Sequence, residues 1–241
     1  MELDPKTEPR SNLSEVVAQA IELYASMLNQ MGYSVEGSRT NYQRVFQVLP
    51  EEALRKTRDL LVPFLSLFAP EMSELERDPY KPGIEKELYL LKKFIRSKGL
   101  VMPGDLESYI RDGDIIEVYD GQGIQQYRSF NFFELCTYSL DEVFTHDWME
   151  LYERNEFITR QIGVWAERYF TQQTKDPVVL NLPTHVAREK FSQGRTAVRI
   201  KQGVLYPLEN LAGQTTMVIA TFKVLERLHD YSGDVQTDLG N

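Results

Sequence analysis

Residues 112–128 read DGDIIEVYDGQGIQQYR, and this stretch sets the architecture that we predict for the second half of the chain. Residues 114–119 are rich in β-branched and aromatic side chains, and the turn DGQG at 120–123 leads into a second short segment at 124–128. Two such segments joined by a glycine-rich turn are typical of a β-hairpin. The stretch therefore predicts two antiparallel strands.

A block of helices and then a block of strands follow the hairpin. Asn131 with Glu134, and Ser139 with Glu142, have the three-residue spacing of a capping box, which predicts two short helices. Apolar residues at helical spacing predict a third helix over 155–172. Further strands are predicted at 178–182, 196–201, 204–208 and 215–225, where the middle two form either a hairpin or one long bent strand.

This order of elements resembles that of the PAS sensor fold. The opening D-G-x-I strand is matched by residues 112–119, and the family's G-Y-S-x-E-E-L turn is matched at 137–142, where Thr137 replaces the usual Gly. The usual N-x-A before the first helix is missing. The resemblance covers about residues 106–228 and implies an α+β fold, in which a five-stranded antiparallel sheet carries helices on one face. It also implies a sensory or interaction module, often dimeric, with a small ligand between the helices and the sheet.

The first hundred residues are predicted to be helical, with helices near 14–31 and 41–49, from residue 51, and near 84–95. Residues 101–104, VMPG, mark the best domain boundary. We therefore expect a disordered leader at 1–12, a helical domain at 13–100, a PAS-like domain at 105–229 and a flexible tail at 230–241.

The charge balance disfavours nucleic acid and anionic lipid as partners. Asp and Glu number 36 against 27 Lys and Arg, which gives a formal net charge of −9. No apolar run approaches the ~20 residues that a membrane helix requires. The single Cys136 cannot form an intramolecular disulfide, and no signal-peptide pattern begins the chain, so we expect a reducing, cytoplasmic location.

No motif identifies a catalytic, metal or cofactor site. Cys136 is read as a small core residue, since the N-C-R-F-L-Q pattern of the flavin-adduct cysteine in light-oxygen-voltage domains is absent around it. His146, His185 and His229 lack metal-ligand spacing, although His146 or His185 could serve as an axial haem ligand as in some PAS sensors. We expect no enzyme activity and no bound cofactor. The sequence does not indicate which cofactor would bind if one did.

The aromatic residues of the middle region are expected to form the core under the sheet, and part of them could line an apolar pocket or a dimer face. The predicted ligand pocket consists of Phe133, Cys136, Tyr138, His146 and Trp148. A homodimer or a protein partner is expected, because apolar side chains of the first helices exceed what four short helices can hide; they are Met27, Leu28, Met31, Leu61, Leu65 and Phe68.

Three functions remain open from the sequence. The first is a regulatory or sensory protein whose PAS-like domain binds a ligand or a protein in signal transduction. The second is a protein-interaction adaptor whose cavity is filled by side chains. The third is an enzyme with an unfamiliar site, which would require a buried group of ionisable side chains in a cleft.

Overall fold

The computed structural model describes residues 10–37, 49–71, 83–102, 104–146, 148–192 and 196–228. Its helices are α1 (Arg10–Gln30), α2 (Glu51–Phe68), α3 (Gly83–Ser97), α4 (Leu106–Tyr109), α5 (Leu140–Thr145), α6 (Trp148–Leu151) and α7 (Glu156–Phe170), and two short 3-10 helices lie at Ala69–Glu71 and Phe130–Glu134. The strands are β1 (Asp114–Asp120), β2 (Gln125–Arg128), β3 (Tyr152–Glu153), β4 (Val178–Val179), β5 (His185–Glu189), β6 (Ala197–Glu209) and β7 (Thr215–Leu228). Residues 41–48 of the predicted helix, the predicted tail and residues 1–9 of the predicted leader lie outside the described residues, whereas residues 10–12 of the leader belong to α1.

The strands form one antiparallel sheet in the order β2-β1-β7-β6-β5-β3, and β4 pairs with β6. A hairpin, a helical block and three returning strands follow one another along the chain, which is the order that the PAS resemblance implies. The α+β class with a PAS-like domain is therefore confirmed. The sheet has seven strands instead of the predicted five, because β3 and β4, with two residues each, extend it.

The region 196–208 forms one long strand and not a hairpin. β6 runs from Ala197 to Glu209, and its pairing with β7 shifts register between Gln202 and Leu205. Gly203 packs against the side chain of Thr221, so a larger residue would collide there. The glycine allows a close approach of two strands, and it does not make a turn.

The register assigns side chains to two faces of the sheet. Glu117, Ala220 and Leu205 lie in one row across β1, β7 and β6, on the face that we call the inner face. Helix α7 packs on this face, since its residue Tyr169 is in one apolar cluster with Ala220 and Leu205. The opposite, outer face bears Tyr127 and Tyr206.

Residues that precede β1 cover the outer face and the β2 edge. The rings of Tyr109 and Tyr206 are 5.7 Å apart, and those of Phe94 and Tyr127 are 5.2 Å apart. One continuous hydrophobic core contains residues of α1, α2, α3 and the sheet. The division into domains at 13–100 and 105–229 stays a prediction, and the described parts of both share this core.

The apolar residues on which self-association was predicted are covered within the chain. Five of them are at most 5 % exposed, namely Met27, Leu28, Leu61, Leu65 and Phe68, and Met31 packs against the same core. That argument for a dimer was wrong, because the helices pack onto the sheet as well as onto each other. None of the helices in the described ranges is long and apolar enough to cross a membrane.

Local sequence signals account for the starts of the inner helices. Ser139 and Glu142 form the predicted capping box before α5, and the side chain of Asn155 caps α7 by accepting a hydrogen bond from Ile158 N. The box predicted at Asn131 is wrong. Asn131 lies inside the 3-10 helix Phe130–Glu134, and its side-chain amide donates to the carbonyl of Asp114 instead.

Candidate functional site

The space between the inner face and the 3-10 helix is the place where the PAS resemblance implies a ligand. This inner-face cavity has a volume of about 30 Å³, which is room for about one water molecule. Large side chains fill the region, with Phe132 from the 3-10 helix and Tyr152, Phe222 and Ile200 from the sheet. Pockets that bind small organic molecules usually measure about 300–1,000 Å³.

Flavin and haem, the cofactors that members of this fold family carry, do not fit this cavity. It is smaller by about an order of magnitude than a pocket for an organic ligand. His185, proposed from the sequence as an axial haem ligand, is 7 % exposed and does not line this cavity. The described residues therefore favour a filled interior over a cofactor site.

Cys136 is the one predicted pocket residue that lines this cavity. Its sulfur accepts a hydrogen bond from the Tyr152 hydroxyl at 3.3 Å. Burial raises the pKa of the thiol to about 11, so the thiolate is scarce at neutral pH. The nearby Glu189 carboxylate, 2 % exposed, accepts hydrogen bonds from Thr137 N at 2.7 Å and from the Ser192 hydroxyl at 2.5 Å. These contacts indicate an inert, structural thiol.

The Tyr138 hydroxyl forms hydrogen bonds that connect three segments near the inner face of the sheet. Its hydroxyl donates to the carbonyl of Leu151 at 2.6 Å and accepts from the backbone N–H groups of Lys190 at 2.9 Å and Phe191 at 3.2 Å. All the hydrogen-bonding capacity of the hydroxyl is therefore used by the backbone. This geometry suits a structural role.

The other predicted pocket residues lie elsewhere. Phe133 turns toward the N-terminal helices, with its ring 5.9 Å from that of Tyr24. His146 is exposed at the end of α5, where its Nδ1 lies 3.0 Å from the carbonyl of Glu142. For Trp148 the backbone is in α6, and its side chain is outside the described set. The four predicted residues whose side chains are described thus lie at several sites and do not surround one cavity.

A buried charged group on the inner face was missed by the sequence analysis. Arg128 on β2 lies opposite Glu117 on β1, and its Nε is 3.8 Å from Glu117 Oε1. The other oxygen of Glu117 accepts from the Tyr119 hydroxyl at 2.9 Å. Arg154, which lines the inner-face cavity, is close enough to Glu117 to interact with it electrostatically, and burial lowers the pKa of its guanidinium.

The Arg128 guanidinium has unused donors. The residue is 7 % exposed, and its guanidinium carbon lies 3.9 Å from the centroid of the Phe132 ring. Neither Nε nor Nη1 has a hydrogen-bond partner among the described residues. A buried donor without a partner costs about 1–3 kcal/mol, more when it is charged. The ion pair with Glu117 and the ring of Phe132 partly offset this cost.

Arg128 also lines a groove of about 210 Å³ between α2, the hairpin and the α5–α6 segment. Lys56 of α2, Gln125 of β2, and His146 and Glu150 line the same groove. It is the place where a predicted site residue, His146, and the missed Arg128 face a common space. Within the described ranges, no group of His, Cys, Asp and Glu side chains could hold a metal ion.

A second buried acid links α3 to the inner side. Glu87 is 3 % exposed, and its two carboxylate oxygens accept hydrogen bonds from Phe130 N and Asn131 N, each at 3.1 Å. Burial raises the pKa of the carboxyl from 4.5 to about 7. A sequence signal existed, because Glu87 is on the same helical face as Leu91 and Phe94, where apolar residues are expected.

Comparisons with known proteins find similarity at the level of structure alone. No protein-family model matches the sequence, and no curated protein is similar to it. A variant of Vivid has a TM-score of 0.36 at 11 % identity, and the match covers 55 % of this chain and 96 % of that one. The light-state dimer of the fungal blue-light photoreceptor Vivid has a TM-score of 0.35 at 12 % identity, covering 50 % and 96 %. An RNA-binding light-oxygen-voltage receptor has a TM-score of 0.33 at 17 % identity, covering 91 % of this chain and 60 % of that one. The description of this chain as PAS-like rests on its own order of strands and helices.

Proposed function

We propose that this chain is a non-enzymatic regulatory protein of signal transduction. Its PAS-like domain receives a signal, as a ligand or as a protein contact, and the helices α1–α3 pass the change on to a partner or to a second copy of the chain. The lone thiol Cys136, half-buried and not in a disulfide, fits a reducing compartment such as the cytoplasm.

The observation that carries this proposal is the buried link at Glu87. The residues that it holds, Phe130 and Asn131, begin the 3-10 helix whose Phe132 forms a wall of the inner-face cavity. A shift of that wall would alter the two buried hydrogen bonds that join the 3-10 helix to α3. The link therefore offers a short physical route from the sheet to the N-terminal helices.

The adaptor alternative is favoured by the small inner-face cavity, whose volume of about 30 Å³ leaves no space for an organic ligand. Under that alternative the signal is a protein contact. The enzyme alternative has partial support, because the Arg128–Glu117 pair is a buried ionisable group. Arginine keeps its proton in proteins, and Glu117 is engaged by Tyr119 and Arg128. The pair is therefore better suited to recognising charge than to transferring protons.

Hydrogen exchange on the full chain tests the link. Glu87→Gln leaves one acceptor oxygen, so one of the two backbone N–H groups loses its partner. We expect faster exchange in peptides from both α3 and the segment 130–136, whereas Glu85→Gln, an exposed acid on the same helix, changes neither. Faster exchange confined to α3 would contradict the proposed route.

Sedimentation over a range of concentrations tests the part of the proposal that involves a second copy. We expect a species heavier than the 28.0 kDa chain as concentration rises. A single species of monomer mass at every concentration would leave only a different protein as the partner. The absorbance spectrum of the same sample checks for a coloured cofactor, which we expect to be absent.

A further inference from the structure

We propose that two copies of this chain associate through the exposed face of α7, with the two helices antiparallel about a two-fold axis near Gly163; this rests on the part of the proposed function that involves a second copy. The surface lies in the PAS-like half of the chain and does not involve α1–α3. Its exposed residues, which we call the α7 face, are Glu156, Phe157, Arg160, Val164, Glu167 and Arg168.

Helix α7 carries apolar side chains on two opposite sides. Ile158 and Tyr169 are buried on the side that packs against the sheet. On the other side Phe157 is 60 % exposed and Val164 is 40 % exposed. These two residues are seven positions apart, which places them two turns apart on the same face of the helix. Adjacent exposed apolar side chains of this kind mark a contact surface.

The charges of the α7 face complement those of a second, antiparallel copy. Arg160 and Glu167 are exposed and also two turns apart, and neither forms an ion pair within the described parts of the chain. An antiparallel helix brings Arg160 of each copy toward Glu167 of the other, so that two ion pairs form. A parallel pair would instead place each charge beside its own equivalent, which is unfavourable.

The overall charge of α7 favours a second copy as the partner. The helix contains two glutamates, two arginines and no lysine, so its formal charges balance. The whole chain has a formal net charge of −9, and two copies therefore repel each other over most of their surface. The composition also fits an interface, since aromatic residues and arginine are enriched there and lysine is depleted.

Gly163 lies in the interior of α7, where glycine lowers the stability of a helix. A Cβ atom added at this position would meet no atom within 4 Å. Packing against the described residues therefore does not require a glycine here. The missing side chain lets the backbone of another helix approach closely, and for this reason we place the two-fold axis near this residue.

The length of the helix limits the strength of the association. With 15 residues, α7 contributes fewer residues than the ~20–30 that each partner supplies to a standard interface. We therefore expect a weak dimer, with a Kd on the order of tens of micromolar.

Sedimentation of the full chain from about 1 µM to about 500 µM tests the surface. We expect the mean mass to rise from 28.0 kDa toward twice that value. Val164→Glu adds an acid at the centre of the α7 face and should weaken association at least about tenfold. Val62→Glu, at a valine of α2 that is 38 % exposed, is the matched control and should associate like the wild type.

Association that survives Val164→Glu would overturn this proposal. If association is lost in Val62→Glu instead, the second copy binds at α2, and the proposed function stands without the α7 face. A chain that stays monomeric at every concentration also overturns the α7 pairing, whereas the proposed function then keeps a different protein as its partner.

Two charge reversals test the antiparallel arrangement. Arg160→Glu and Glu167→Arg each set like charges against one another when a variant pairs with itself, so each alone should associate at least about tenfold more weakly than the wild type. Mixed in equal amounts, the two variants again pair opposite charges at both positions and should associate like the wild type. Both positions are exposed, so the changes leave folding intact. A mixture that associates no better than the separate variants would refute the pairing.

Discussion

The buried acid Glu87 should make stability depend on pH in a direction opposite to that of most acids. Its pKa rises from 4.5 to about 7 on folding because burial disfavours the carboxylate. Between these values the folded chain holds a proton that the unfolded chain has released. The free energy of unfolding therefore falls as pH rises through this window, and the contribution of Glu87 is complete only at lower pH.

The size of the effect follows from the two pKa values. Linkage gives a loss of about 2.5 kcal/mol in the free energy of unfolding between about pH 5 and about pH 8, at about 1.4 kcal/mol per pKa unit. His185 works in the opposite sense, since its pKa falls from 6.5 to about 4 on burial and its contribution is lost as pH falls. The pH dependence of wild-type stability therefore combines the contributions of Glu87 and His185. The difference in stability between the wild type and a Glu87 variant isolates the contribution of Glu87.

Urea unfolding of the wild type and of Glu87→Gln at several pH values measures this difference. The variant lacks the second acceptor oxygen of the ionised carboxylate, which costs about 1 kcal/mol, and it has no carboxyl to titrate. We expect its stability relative to the wild type to improve by about 2.5 kcal/mol from about pH 5 to about pH 8. The exposed Glu85→Gln should show no such trend. A constant difference between Glu87→Gln and the wild type would refute the reasoning.

Two further predictions concern the inner face. The thiol pKa of Cys136 is raised to about 11 from 9.0, so less thiolate is present near neutral pH. We expect Cys136 in the folded chain to react with a disulfide reagent at about one hundredth of its rate in the urea-unfolded chain. Equal rates would mean that the thiol is exposed. Phe222→Ala, at a site that is 7 % exposed against the inner-face cavity, should lower the free energy of unfolding by about 3–5 kcal/mol. Leu225→Ala, 48 % exposed on the same strand, should cost less than about 1 kcal/mol, and equal losses in urea unfolding would show that the inner face is loosely packed.

The elements that could be predicted are those whose signal is local. The hairpin, the capping box at Ser139 and the helix capped by Asn155 each depend on residues within a few positions of one another. The segment around His185 stayed ambiguous, although its side chains alternate between buried and half-buried along β5. The strands β3 and β4 have two residues each, which is too short for any periodic pattern to appear.

The candidate site was harder to predict because it depends on side-chain direction and strand register. Phe132 and Phe133 are adjacent, yet Phe132 lines the inner-face cavity and Phe133 faces Tyr24 of α1. The amino-acid composition alone cannot predict that two neighbouring phenylalanine side chains point to different parts of the core. The pairing of Glu117 with Arg128 likewise follows from the register of β1 against β2, in which a shift of one residue would place them on opposite faces.

The polar groups buried at the junction argue that the N-terminal helices and the sheet act as one unit. Without α3, the N–H groups of Phe130 and Asn131 would lose the acceptor that Glu87 supplies, and the ring of Tyr127 would lose its contact with Phe94. A boundary near residues 101–104 marks a change in secondary structure, while the hydrophobic core crosses it without interruption. A signal in this protein would therefore pass through shared contacts at the junction, with no need for a flexible linker to carry it.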